Sequence, residues 1–144
     1  MYLEDRELIE FACIRLINHY ANLNDAQDWE GVADLYTWDG RFARPSGDGE
    51  FVTGYDAILE SFQARPARSQ RHIIANTVVN VEGPATARAF SAILLFQGEP
   101  APEGGLPVMS ENSPLVGWYR DLIVATPDGW RFKERVGGLD FRPS

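Results

Sequence analysis

Apolar side chains recur every three or four residues near the start of the chain and alternate with polar ones along much of its second half. The first pattern predicts a long helix from about Leu3 to Asn24, because its apolar residues would then share one face. Acidic residues in the first turn would complement the helix dipole. The apolar stripe consists of Ile9, Cys13, Leu16, Ile17, Tyr20 and Leu23.

Two shorter helices are predicted next. The first runs from about Trp29 to Tyr36 with Asp28 as its N-cap, and the second from about Tyr55 to Ala64, stopping before Pro66. Between them the pattern breaks into short strand-like pieces around an Arg-Pro-Ser-Gly-Asp-Gly run, which is typical of a loop or a wide turn.

The remainder of the chain reads as strands. In the first of them, alternation places His72 and Ile74 on one face together with Asn76 and Val78. Residues 98–114 are rich in glycine and proline, which favours a flexible flap or a lid over a pocket. The predicted strands cover residues 72–81, 85–97, 115–125 and 130–141.

Helices followed by long strands predict an α+β fold, in which a strongly curved and mostly antiparallel sheet wraps the N-terminal helices. The concave face of such a sheet and the first helix enclose a cone, whose open end is a natural ligand cavity. The length fits one domain spanning residues 1–144.

The composition narrows the classes of partner. With 44% hydrophobic residues and a net charge of −8, the chain is typical of an acidic globular protein. Negative charge is repelled by phosphate backbones and by anionic lipid, which disfavours nucleic acid and membranes as partners. The small basic group Arg65, Arg68 and Arg71 is interpreted as a solvated loop.

The N-terminus has neither the basic region nor the apolar run of a signal peptide, so a cytoplasmic location is predicted. The single cysteine, Cys13, cannot form an internal disulfide and lies on the apolar stripe of the first helix. It is therefore interpreted as a buried structural thiol.

The residues that could carry chemistry are few. With only His19 and His72, no paired cysteines and no phosphate-binding glycine loop, neither a metal nor a cofactor is expected. A histidine in an apolar strand can serve as a general base if an aspartate orients it, and Asp25 is the candidate partner. The alternatives remain that Asp25 only caps a helix and that His72 is an ordinary core histidine, with His19 an exposed bystander.

Four motifs, in this order and spacing, resemble the SnoaL-like branch of the nuclear transport factor 2 (NTF2-like) superfamily. The likeness spans nearly the whole chain, and within the branch it is similar to scytalone dehydratase, hexachlorocyclohexane dehydrochlorinase and bile-acid 7α-dehydratase. The motifs are Tyr20-Ala21-x-x-x-Asp25-x-x-Asp28-Trp29, Gly54-Tyr55-Asp56-Ala57-Ile58, Arg71-His72-x-x-x-Asn76 and Asp128-Gly129-Trp130-Arg131-Phe132.

This resemblance implies an NTF2-like cone and a catalytic dyad of Asp25 and His72. It also implies that Tyr20 and Arg135 assist by stabilising a developing oxyanion or the leaving group. Strand alternation, however, would point Glu134 rather than Arg135 inward unless a bulge near Gly137 shifts the register.

The expected function is a cofactor-independent lyase of the dehydratase type, or an isomerase, acting on a small, largely apolar and polycyclic or aromatic substrate. The alternative is a non-catalytic binding or scaffold module, like the small subunit of ring-hydroxylating dioxygenases. An apolar convex sheet face predicts a homodimer or homotrimer. The expected pocket walls are Trp38, Phe42, Phe90 and Trp118.

Overall fold

The computed structural model describes residues 1–143. Helices occupy the first half of the chain and long strands the second, as the sequence predicts. The elements are α1 (Leu3–Asp25), α2 (Trp29–Ala33), β1 (Tyr36–Ala43), β2 (Val52–Thr53), α3 (Tyr55–Gln63), β3 (Ser69–Gly83), β4 (Thr86–Gly98), β5 (Leu115–Thr126) and β6 (Gly129–Leu139).

The strands form one curved, unclosed sheet in the order β2-β1-β6-β5-β4-β3. The pairing of β1 with β6 is parallel, and all other neighbours are antiparallel. The expectation of an α+β fold with a mostly antiparallel sheet around N-terminal helices is confirmed. Strands β2 and β3 are the two edges of this sheet.

The core lies between α1 and the concave face of the sheet. The helix buries the stripe that its spacing predicts, including Cys13, which is fully buried. The sheet contributes small residues from β4 and aromatic ones from β1 and β6. The buried sheet residues include Tyr36, Phe42, Ala87, Ala89, Ile123 and Phe132.

Helix α2 is shorter than predicted. Asp28 caps it as expected, since its Oδ1 accepts a hydrogen bond from Gly31 N at 3.0 Å. The helix ends at Ala33 because the chain then joins the sheet: Leu35 O accepts a bond from Phe132 N at 2.8 Å. Tyr36, predicted as the last helical residue, instead begins β1.

A bulge in β3 overturns the predicted alternation of that strand. Asn76 has a positive φ of 54°, and pairing with β4 shifts by one residue between Ala75 and Val78. As a result His72 and Val79 are both buried, although strict alternation places them on opposite faces. The exposed Val78 lies on the outer face.

A second bulge settles the orientation of Arg135. The register between β5 and β6 shifts because Leu122 pairs with Glu134 while the adjacent Ile123 pairs with Phe132. The extra residue is Lys133, four positions before the predicted bulge at Gly137. Arg135 consequently points inward, and Glu134 points outward to form an ion pair with Arg41.

Residues 99–114 pack back onto the end of β4. Ser113 Oγ accepts a bond from Gln97 N and donates one to Gln97 O, both at 2.9 Å. Ser110 N also donates to Gln97 O at 2.8 Å. The expected flap therefore lies beside the strand that precedes it.

No helix within residues 1–143 is both long and apolar enough to cross a membrane.

Candidate active site

The end of α1 is fastened to the start of β3 by amide side chains. Gln70 Nε2 donates hydrogen bonds to both the backbone O and the Oδ1 of Asn24, each at 2.8 Å. Gln27 Nε2 donates to Arg68 O at 2.7 Å. Two segments that are distant in sequence thus meet at one fixed place, where Asp25 directly follows Asn24 and His72 lies two residues after Gln70.

Asp25 and His72 form a buried pair. The Asp25 Oδ1 to His72 Nδ1 distance is 2.6 Å, and Asp25 Oδ2 accepts a bond from the His72 backbone N at 2.8 Å. Both side chains are buried, with 4% and 5% of their surfaces exposed. The exposed Arg71 guanidinium lies 3.8 Å from the same carboxylate.

This arrangement fixes the tautomer of His72. An ionised carboxylate only accepts hydrogen bonds, so the ring nitrogen that faces it must carry a proton. The neutral imidazole then has its proton on Nδ1 and its lone pair on Nε2. A lone pair held in this way is what a general base requires.

His72 lies in the wall of a partly enclosed cavity at the open end of the cone. Its volume is about 120 Å³, room for about four water molecules at roughly 30 Å³ each. The lining combines apolar side chains with arginines. The cavity is lined by Arg44, Pro45, Ser46, Arg65, Pro66, Arg68, His72, Ile93, Leu95, Leu115, Tyr119 and Leu139. Within residues 1–143, no group of three or more His, Cys, Asp or Glu side chains is arranged to hold a metal ion.

Tyr20 and Arg135 lie outside this lining, in a buried cluster behind Tyr119. The Arg135 guanidinium carbon is 3.7 Å from the centre of the Tyr119 ring and 4.4 Å from that of Tyr20. The hydroxyls of Tyr20 and Tyr36 are hydrogen-bonded at 2.8 Å. Neither of the two expected assisting residues therefore lines the cavity.

Arg135 is paired with Asp121 in the core. Both side chains are completely buried, and Arg135 Nε donates to Asp121 Oδ1 at 2.9 Å. Burial raises the pKa of Asp121 to about 6, which leaves it ionised at neutral pH. Burial is the largest single influence and would lower the pKa of Arg135, but the charge of Asp121 and the surrounding tyrosines together raise it, and the net change is upward.

The four expected pocket walls lie elsewhere. Phe42 is a core residue stacked on Phe62, with ring centroids 5.5 Å apart. Trp38 is 74% exposed and stacks on Tyr55, while Phe90 is 41% exposed on the outer face. Trp118 alternates with the inward-facing Tyr119 and likewise points outward. Aromatic character alone therefore gave no information about which face of a strand each residue occupies.

Tyr119 is one of the cavity residues that the sequence analysis missed. It lies on the same face of β5 as the buried Asp121 and Ile123, and this two-residue spacing could have identified it. Burial raises the pKa of its phenol despite the nearby charges of Arg135 and Arg65. The phenol is thus protonated at neutral pH and can donate a hydrogen bond.

The family of the chain follows from its sequence. The model of the SnoaL-like domain matches residues 2–136, which is nearly the whole chain. The chain belongs to the SnoaL-like family. Its fold is accordingly the NTF2-like cone. No curated protein matches it by sequence.

Solved structures resemble this SnoaL-like protein over most of their length. A Novosphingobium aromaticivorans protein, provisionally named a scytalone dehydratase, has a TM-score of 0.81 at 20% identity, covering 97% of this chain and 89% of that one. A second protein from that organism, provisionally named an aromatic ring hydroxylase, has a TM-score of 0.76 at 25% identity, covering 100% and 94%.

A third structure is provisionally named a dehydratase of the NTF2-like family and comes from Streptomyces avermitilis. Its TM-score is 0.76 at 15% identity, with 91% of this chain and 96% of that one covered. At 15% and 20% identity, the two dehydratase-named structures establish the shared fold alone.

Proposed function

We propose that this SnoaL-like protein is a cofactor-independent lyase of the dehydratase type, or an isomerase, that uses His72 as a general base. The observation that carries the proposal is the 2.6 Å contact between His72 Nδ1 and Asp25, in the wall of a cavity. A histidine that merely fills the core needs neither a buried carboxylate nor a cavity beside it.

The first step is removal of a proton from a carbon of the substrate. His72 Nε2 takes the proton, and the electron pair of the broken C–H bond remains on the substrate as an enolate or as a new double bond. Asp25 stabilises the imidazolium that forms, because its negative charge lies against the ring nitrogen on the far side. Proton transfer to a side chain positioned in this way contributes roughly a hundredfold to ten-thousandfold in rate.

The second step decides between the two reaction types. In a dehydration, the electron pair forms a carbon–carbon double bond and a neighbouring hydroxyl leaves. It takes the proton from His72 and departs as water, so the histidine returns to its neutral form. In an isomerisation, His72 returns the proton to a different carbon and nothing leaves. Both sequences balance without an oxidant or a reductant.

Tyr119 takes the role that the sequence analysis gave to Tyr20. Its ring lines the cavity, and its phenol is protonated at neutral pH, since burial raises the phenol pKa, so it can donate a hydrogen bond to an oxygen on which charge develops. Arg135 lies 3.7 Å behind this ring and acts on the cavity only through it.

Proton exchange tests the proposal whichever product the reaction forms. Small cyclic ketones and acids with a hydroxyl beside an acidic C–H are incubated with the protein in D₂O, and NMR measures deuterium uptake and alkene formation. We expect exchange with the wild type, none with His72→Gln, and a reduction of roughly a hundredfold or more with Asp25→Asn. The asparagine amide can donate to Nδ1, which would move the imidazole proton to Nε2.

The second histidine provides the matched control. His19 is exposed on α1 and does not line the cavity, so His19→Gln should exchange at the wild-type rate. If His72→Gln and His19→Gln exchange the same compounds equally well, the assignment of His72 as the base is wrong.

A binding or scaffold module is the second candidate. Apolar residues on the outer face of the sheet, including Ile73, Val78 and Phe90, are exposed and could pack against another subunit. Ligands that bind and shift the His72 imidazole signals, but show no exchange under any condition, would favour this candidate.

A further inference from the structure

The cavity beside His72 contains an uncompensated group of positive charges. Arg44 follows the end of β1, while Arg65 and Arg68 follow α3, and all three side chains line the cavity. None of the lining residues is an aspartate or a glutamate. In a chain whose net charge is −8, this concentration of arginine is opposite in sign to the protein as a whole.

The three guanidinium groups are held by neutral partners. Arg44 Nη2 donates to Ser61 O at 2.6 Å, and Arg68 Nε donates to Gln70 Oε1 at 3.1 Å. The Arg65 guanidinium lies over the Phe62 ring at 4.1 Å. Within residues 1–143, none of these arginines forms an ion pair with a carboxylate, although the chain forms such pairs elsewhere.

The charges also act on one another. Burial is the larger cause that lowers the pKa of Arg65 to about 10, and the charge of Arg44 acts in the same direction. The pKa of Arg68 is lowered by the same two causes in the same order. All three remain protonated at pH 7, so they repel each other across the cavity, and a bound anion would relieve that repulsion.

Apolar side chains form another part of the lining. Ile93, Leu95, Leu115 and Leu139 lie there, on strands β4 to β6. A ligand that suits both the arginines and these apolar residues has an apolar body and one anionic end. The volume of about 120 Å³ restricts the body to about the size of a single ring, since a cavity of roughly 150 Å³ accommodates benzene.

We propose that the substrate of this site is a small organic acid of single-ring size, whose carboxylate is bound by Arg44, Arg65 and Arg68 while its apolar part lies against β4 to β6 and reaches His72. That this ligand is a substrate rests on the function proposed above, whereas the recognition of its carboxylate does not. The inference narrows the substrate class, because a polycyclic molecule of the kind considered from the sequence would exceed the enclosed volume and extend out of the cavity.

Benzoate and its neutral analogue benzamide test the recognition directly. Isothermal titration calorimetry, together with the NMR signals of the His72 ring, measures their dissociation constants for the wild-type protein. We expect benzoate to bind at least about tenfold more tightly, because charge-assisted hydrogen bonds contribute more than neutral ones. The preference should shrink as salt is added.

Substitution of the arginines then shows which residues cause the preference for benzoate. Arg68→Gln should weaken benzoate about tenfold and leave benzamide unchanged, while Arg68→Lys should retain much of the benzoate affinity. Arg88→Gln is the control, since Arg88 is exposed on β4 and outside this cavity. Arg65 covers Phe62, so Arg65→Lys is used there, with circular dichroism to confirm folding.

The outcomes separate this inference from the proposed function. The proposed carboxylate recognition would be overturned if the wild-type protein bound benzoate and benzamide with equal affinity. It would also be overturned if Arg68→Gln weakened the binding of both compounds equally. Inorganic phosphate that binds as tightly as benzoate would overturn the assignment of an organic acid. His72→Gln should lose proton exchange yet keep its preference for benzoate. If no exchange is found with any protein but the benzoate preference holds, the catalytic proposal fails and the carboxylate site stands.

Discussion

Replacing Asp121 with asparagine should destabilise the protein severely, because it leaves the charge of Arg135 alone in the core. Both side chains are completely buried, and Asp121 supplies both hydrogen-bond acceptors of the guanidinium, at 2.9 and 3.5 Å. Arg135 Nη1 already has no hydrogen-bond partner within residues 1–143. The three aromatic rings around the guanidinium contribute cation–π attraction but cannot neutralise its charge.

The expected loss of stability follows from the burial of the Asp121–Arg135 ion pair. Removing one partner of a fully buried ion pair costs about 3–5 kcal/mol, because the other charge stays in a region of low dielectric. A domain of this size has about 5–15 kcal/mol of stability in total. With a urea dependence of about 2 kcal/mol per molar, a loss of about 4 kcal/mol lowers the unfolding midpoint by about 2 M.

Urea titration monitored by circular dichroism and tryptophan fluorescence measures this midpoint. The double variant Asp121→Leu with Arg135→Met is the informative comparison, since replacing both charges with apolar groups of similar size is often neutral or stabilising. We expect it to be more stable than Asp121→Asn alone. A loss below about 1 kcal/mol in Asp121→Asn, or a double variant that is the least stable of all, would refute the reasoning.

Three further predictions concern packing, reactivity and assembly. Gly117→Ala should cost about 1–3 kcal/mol in thermal or urea unfolding, because its Cβ would collide with the backbone O of Gly138. In the control Gly83→Ala, the added Cβ meets nothing within 4 Å, so this variant should be neutral or stabilising. Cys13 should react with a thiol reagent only in denaturant, since burial and the Asp121 charge raise the pKa of its thiol to about 12; rapid labelling of the native protein would contradict this. The expected homo-oligomer stays a prediction: if it forms through the outer sheet face, Val78→Glu should reduce its mass in sedimentation, and an unchanged mass would exclude that face.

The order and type of the elements could be predicted from periodicity. The apolar stripe of α1 and the turn signals between the strands are local properties of the chain, and so is the cap at Asp28. The two bulges were harder to predict from the sequence, because neither Asn76 nor Lys133 is a residue type, such as glycine, that marks a bulge. Each bulge nevertheless reverses which residues of its strand face inward, so alternation misplaced Val78 and Val79 and left Arg135 undecided.

The site was predictable only in part. Asp25 and His72 were proposed together from their chemistry and from the family resemblance, and the structure brings their side chains into contact. Arg65 and Arg68 were interpreted, with Arg71, as a solvated loop. Only the fold shows that this loop returns over the open end of the cone. Long-range placement of loops was therefore the part that local patterns could not supply.

The carboxylate of Asp25 also covers an exposed edge of the sheet. Strand β3 is an edge strand, and the backbone N–H of His72 would be a free donor there if Asp25 Oδ2 did not accept it at 2.8 Å. Free edges invite other chains to pair with them, and proteins commonly block them. Selection for solubility alone would then favour an acceptor at position 25. The retention of this aspartate in a relative is accordingly weak evidence of catalysis unless its histidine and its cavity are retained as well.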